Sequence, residues 1–109
     1  METCSVYYAL HLLNGKWKLQ ICWVLHNEKV IRFNELQRRL NGISNLMLSR
    51  NLQELEQAHI IKRTQYNEVP PRVEYSLTEL GEGIAPALDL LGQWGEKAYK
   101  MNQENNEPC

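Results

Sequence analysis

Just after Ser44, residues Asn45, Leu46, Ser49, Arg50 and Gln53 fall on the side opposite Met47, Leu48, Leu52 and Leu55, which repeat at helical spacing. All five polar side chains, Ser44 included, can hydrogen-bond, and Arg, Asn and Gln are the groups able to make bidentate contacts to purine edges. A helix that rests on a core and offers its other face to a duplex needs this division. Any amphipathic helix with a solvated face has it too. Arg72 follows two prolines and reads as the tip of a stiff loop, where an arginine can reach a minor groove or its phosphates. Arg32 and Asn34, at the start of a shorter helical segment, are candidate phosphate contacts.

The charge distribution supports this placement better than the net charge of −1 does. From Lys16 to Arg72 there are ten basic residues and five acidic ones, a balance of +5. From Val73 onward, seven acids face Lys97 and Lys100, a balance of −5, and Glu2 supplies the remaining −1. A basic middle before an acidic end is an asymmetry of the kind that accompanies nucleic-acid binding, though solvated charge gives it as well.

Other chemistries find little support. His11 and His26 sit within or at the ends of apolar helices and His59 at a turn, with no glycine-rich phosphate loop or His-Glu-x-x-His pair, so an enzyme is not expected. Cys4, Cys22 and Cys109 are odd in number and lack metal-ligand spacing, which argues against a disulfide framework, a metal site or a bound cofactor. No apolar run approaches the roughly 20 residues of a membrane span, and no export leader is evident. The expected compartment is the cytoplasm, with no membrane partner and reduced thiols.

The elements that must hold these residues read as one domain over 1–101, followed by a flexible polar tail over 102–109. Val6, Leu10 and Leu13 mark a first helix, ended by Asn14-Gly15. Lys16 to about His26 forms a second with almost no polar face, which predicts a place in the middle of the core. Phe33, Leu36 and Leu40 define a short third helix, and Asn41-Gly42 closes it with Gly42 in the left-handed region. Ser44 is the expected N-cap of the fourth helix, which runs to Ala58. The pattern then alternates over Ile60–Tyr66 and Val73–Leu77, two strands of a hairpin whose connection contains Pro70-Pro71. Thr78 caps a last helical region in which Pro86 forces a kink or a new start. The expected class is mainly α with a small β-hairpin wing, a winged helix-turn-helix in which the third and fourth helices form the helix-turn-helix.

The segments Gly15-Lys16-Trp17-Lys18-Leu19, Arg32-Phe33-Asn34-Glu35-Leu36, Gly42-Ile43-Ser44 and Leu52–Glu56 resemble the HxlR-type winged helix family of bacterial regulators. Glu68-Val69-Pro70-Pro71-Arg72-Val73-Glu74-Tyr75-Ser76-Leu77-Thr78-Glu79-Leu80-Gly81 looks like that family's wing and the helix after it. The resemblance runs from Cys4 to about Trp94. It implies a MarR-like homodimeric transcription factor, often a repressor and sometimes an activator, bound to double-stranded DNA. It also implies a redox-sensing thiol at Cys4, ahead of the first helix, and an oxidant or electrophile as effector. Two positions depart from the family's pattern. Leu46 stands where a basic or polar residue is common, and His59 where glycine is common, so His59 needs a left-handed conformation or a different helix ending.

The terminal helices carry more apolar surface than a domain this small can bury: Leu88, Leu90 and Tyr99 lie off the main stripe of the last helix. Self-association would present two recognition helices to successive major grooves, at half-sites about one helical turn apart. Tyr7, Tyr8, Trp17, Trp23 and Trp94 either line a pocket for a small aromatic effector or simply pack. The alternatives to a DNA-bound regulator are a winged-helix protein-interaction module and a small-ligand sensor without a redox role.

Overall fold

The computed structural model describes the backbone of residues 4–105 and the side chains of residues 4–103. In chain order the elements are α1 (Ser5–Leu12), α2 (Lys18–Glu28), β1 (Ile31–Arg32), α3 (Phe33–Arg39), α4 (Asn45–Gln57), β2 (Ile61–Tyr66), β3 (Arg72–Leu77), α5 (Glu79–Glu82) and α6 (Ala85–Asn105). The strands form an antiparallel sheet in the order β1-β3-β2, with Arg63 opposite Tyr75 and Ile31 opposite the same tyrosine from the other side. This is a winged helix-turn-helix: α3 and α4 are the helix pair, and the β2–β3 hairpin is the wing.

Ile21, Cys22 and Leu25 of α2, Leu36 and Leu40 around α3, and Leu48, Leu52 and Leu55 of α4 meet in one core, closed by Ile31, Ile61 and Tyr75 of the sheet. Only one face of α2 takes part. Trp23 is exposed and Leu19 and Val24 are partly so, contrary to the central position that the near-absence of polar residues suggests. That side of α2 borders an open groove of about 560 Å³, whose other wall is Leu88 and Leu91 of α6. The core also holds a charge, since Lys18 is buried and its ammonium reaches Glu54 of α4.

Local chemistry sets the boundaries. Ser44 Oγ accepts from the Met47 amide at 3.1 Å and starts α4, and Gly42 turns the chain before it at φ +91°. Helix α4 ends in a Schellman motif: the Ile60 amide donates to the Leu55 carbonyl and the His59 amide to that of Glu56, with His59 at φ +64°. Thr78 Oγ1 accepts from the Gly81 amide and starts α5. Pro86 occupies the first turn of α6, where its missing N–H costs nothing. His26 Nδ1 lies 2.8 Å from Glu82 Oε2 and ties α5 to α2. Helix α6 continues through residues 102–105, where sequence alone suggests a flexible tail, and residues 106–109, including Cys109, lie outside the described residues.

The two terminal helices meet the core only at their inner ends, through Leu12 of α1 and Ala85 and Leu88 of α6. Helix α1 has no buried residue, and Val6, Tyr7, Tyr8 and Leu10 are all exposed. Along α6, Leu90, Leu91, Trp94 and Tyr99 are exposed, Trp94 at 66%. The radius of gyration is 16.2 Å, against about 13 Å for a compact domain of this length.

Candidate nucleic-acid interface

The first turns of α4 project beyond the core. The helix is buried along Leu48, Asn51, Leu52 and Leu55, while Asn45, Leu46, Ser49, Arg50 and Gln53 are exposed on the opposite side. Met47 departs from the buried stripe that its spacing suggests. It is exposed, while Asn51, one turn on along the same face, is buried and its Nδ2 donates to the Met47 carbonyl at 2.7 Å. Ser44 is exposed as well, but its oxygen is committed to capping. Arg32 is the last residue of β1, and Asn34 lies in the first turn of α3; both are exposed.

Arg72 is not at the tip of the wing. It opens β3 directly across from Tyr66, and the tip is the Asn67–Pro71 segment, where Val69 is fully exposed. The Arg72 guanidinium lies 4.2 Å from the centroid of the Tyr66 ring. Its Nη2 is 3.3 Å from Glu68 Oε1, and its Nε is 3.5 Å from Glu74 Oε2, too long to satisfy that buried nitrogen. Strand alternation explains the trap: residues 72 and 74 share a face, and the tip folds Glu68 back over it.

Ion pairing sorts the basic residues of the middle segment. Lys18 pairs with Glu54, Arg38 with Glu35, Arg39 with Glu28 and Glu35, and Arg72 with Glu68 and Glu74. Both the hydrogen bond and the charge of Glu28 raise the pKa of Arg39 further above its ordinary value. Lys16, Lys29, Arg32, Arg50, Lys62 and Arg63 are exposed and have no such partner among the described residues. Four of these six, Arg32, Arg50, Lys62 and Arg63, lie on α4 and the sheet, where the hydrogen-bonding side chains are, while Lys16 precedes α2 and Lys29 ends it. Lys62 and Arg63 do not stand out in the sequence as candidates. The available signal is strand alternation from Ile61, which puts a guanidinium on the side of β2 that faces α4.

The profile of HxlR-like helix-turn-helix proteins matches residues 12–104. The chain belongs to the HxlR-like helix-turn-helix family. An HTH-type transcriptional regulator of Methanothermobacter thermautotrophicus is 48% identical over 103 residues, covering 94% of this chain and 77% of that one. A solved structure described as a MarR-family transcriptional regulator of Porphyromonas gingivalis W83 is 44% identical at a TM-score of 0.81, covering 88% of this chain and 93% of the other. The redox regulator HypR in its reduced form is 36% identical at a TM-score of 0.85, with 93% and 99% covered. This HxlR-like chain is thus a transcriptional regulator, not an enzyme.

Two cysteines of the HxlR-like chain have opposite surroundings. Cys4 is exposed at the N-cap of α1. Cys22 is buried among Ile21, Leu25 and the rest of the core, and burial pushes its thiol up to about 11. Among the described residues no group of His, Cys, Asp and Glu could hold a metal ion, and no helix is long and apolar enough to cross a membrane. The five candidate aromatic residues are not gathered into one enclosed pocket. Tyr7, Tyr8, Trp23 and Trp94 are exposed, and only Trp17 packs partly on the core.

Proposed function

We propose that this regulator binds double-stranded DNA sequence-specifically as a homodimer at a pseudo-palindromic operator in the cytoplasm, and that it represses by occupying promoter DNA. The observation that carries the reading is the outer face of α4, where Asn45, Ser49, Arg50 and Gln53 are exposed beside the wing and next to the unpaired charge. In this reading Asn45, Arg50 and Gln53 meet base edges, Ser49 meets a base or a phosphate, and Arg32 and Asn34 meet backbone. Ser44 orients the helix N-terminus, and Arg72 engages DNA by exchanging a carboxylate for a phosphate. The exposed apolar side chains of α1 and α6 and the extended shape support the dimer, because pairing would take those side chains out of water. Half-sites then lie about one helical turn apart.

Cys4 is the thiol of this reading that an oxidant or electrophile reaches. It lies at the start of a helix assigned to the dimer, whereas Cys22 is enclosed and protonated. Likeness to HypR, described as a redox regulator, supports the same assignment. Oxidation or alkylation of Cys4 changes how α1 packs in the dimer and lowers operator affinity.

The test is recovery of bound sequence from a random DNA pool, with and without oxidant, followed by salt titration of binding. A palindromic motif, steep salt dependence and loss of binding on oxidation are expected, and Cys4→Ser should abolish only the last. Leu46, exposed on the same face, favours a second reading as a protein-docking helix. That reading replaces the first if the protein shows no salt-dependent affinity for any duplex.

A further inference from the structure

Successive residues of β2 point to opposite sides of the sheet. Ile61 lies opposite Leu77 and Arg63 opposite Tyr75, so Arg63 shares the face that elsewhere builds the core. It is nevertheless exposed, because the hairpin runs on past the core and this face looks across an open cleft toward α4. The cleft is about 420 Å³. Ser49, Gln53 and Glu56 form its helix wall, and Arg63 stands opposite, with Leu52 and Tyr75 beneath.

Arg63 Nη1 donates to Gln65 Oε1 at 3.3 Å, a neutral partner that aims the guanidinium without cancelling its charge. Arg72, on the other face of the hairpin, is already held between two carboxylates. A duplex that meets both the outer face of α4 and the wing must lay one sugar–phosphate strand between them, since that strand is what separates a major groove from the adjoining minor groove. The strand crosses this cleft.

We propose that Arg63 is the clamp for that strand, binding a backbone phosphate between α4 and the wing, with Ser49 donating from the opposite wall. This rests on the DNA-binding reading above and extends it to a named residue. Glu56 is an acceptor-only carboxylate at the same cleft, and it opposes any phosphate there. The clamp fixes register and carries no sequence information.

The experiment uses the full-length protein, the recovered operator and a scrambled duplex of equal length, with affinities measured across a salt series. Arg63→Gln should weaken both duplexes by a similar factor, about tenfold, and reduce the slope of log K against log salt by about one. The ratio between the two duplexes should not change. Arg63→Lys should keep the slope, and Glu56→Gln should tighten both duplexes. An Arg63→Gln protein with wild-type slope and affinities overturns the proposal, as does one that loses only discrimination, which would make Arg63 a base reader. If the wild type itself lacks salt-dependent affinity, the DNA-binding reading fails and the clamp with it.

Discussion

Lys18 Nζ lies 2.9 Å from Glu54 Oε1 and 3.4 Å from Asn14 Oδ1, so one buried ammonium joins the α1–α2 turn to the helix that faces the wing. Lys18 is 6% exposed, whereas nearly half of the Glu54 side chain meets solvent. The pair is therefore partly screened, and its two halves are not equivalent. Removing the carboxylate leaves a charge in the core, while removing the ammonium leaves a solvated glutamate. Glu54→Gln should cost about 1–2 kcal/mol in urea unfolding, and Lys18→Met should cost less than that or stabilise. Equal losses in the two variants would mean that the ion pair, not the desolvated lysine, dominates.

Gly81 is required by close approach. A Cβ at this position would stand 2.2 Å from the Ile60 carbonyl oxygen and 2.9 Å from Leu77 Cδ2, in the place where Thr78 caps α5 and also donates to the His59 carbonyl. The obstacle is backbone, so it cannot rotate aside. Gly81→Ala should lower stability by about 3 kcal/mol, while Gly92→Ala, with open space around it, should be neutral or stabilising. Thermal melts of the two variants side by side measure this.

His59 occupies the left-handed position of the Schellman turn at φ +64°, where a β-carbon is disfavoured. His59→Gly should therefore stabilise by about 0.5–1 kcal/mol, the relief of strain being partly offset by the greater entropy of an unfolded glycine. Chemical denaturation at neutral pH reads it directly. A loss of stability would show that the imidazole has a packing role.

The helix-turn-helix was legible because its signals are local: Ser44 before a 3-4 apolar repeat, Gly42 as a left-handed stop, and alternation in the hairpin. The two-residue β1 was not, since Ile31-Arg32 is too short to show a period and exists only by pairing with β3. Lys18 reads as surface by residue type, and only the tertiary approach of Glu54 allows it inside. Arg72 reads as a free tip because Pro70-Pro71 precede it, but cross-strand pairing with Tyr66 decides where its guanidinium goes. The division of α2 into a buried face and a tryptophan-bearing open one also lay beyond the pattern, since both faces are apolar.

Cys22 makes stability depend on alkaline pH. Its thiol is raised from 9.0 to about 11 by burial, so the folded state keeps a proton that the unfolded chain releases. The corresponding stability is fully present below about pH 9 and is lost as pH rises through the folded value near 11. Two pH units correspond to about 2–3 kcal/mol. Wild type should lose roughly that much more than Cys22→Ala between pH 8 and pH 11, the alanine variant starting lower because of the cavity it leaves. Parallel pH profiles for the two proteins would remove the assignment.

Glu74 restrains Arg72 from the strand side, and Glu68 restrains it from the tip. Breaking one restraint should change DNA binding in the direction opposite to losing a basic residue. Glu74→Gln removes a negative charge from the outer face of the wing, leaves the Tyr66 stacking in place and frees the guanidinium to turn outward. Operator and scrambled duplexes should both bind more tightly, with the salt slope steeper by up to about 0.9, the contribution of one added phosphate contact. Arg72→Ala in the same assay separates two roles for the arginine. A DNA contact predicts weaker binding and a shallower slope. If Arg72 only stiffens the hairpin, the slope stays at its wild-type value and the wing amides exchange faster with solvent. Glu74→Gln should then also leave the slope unchanged, so the two variants must agree.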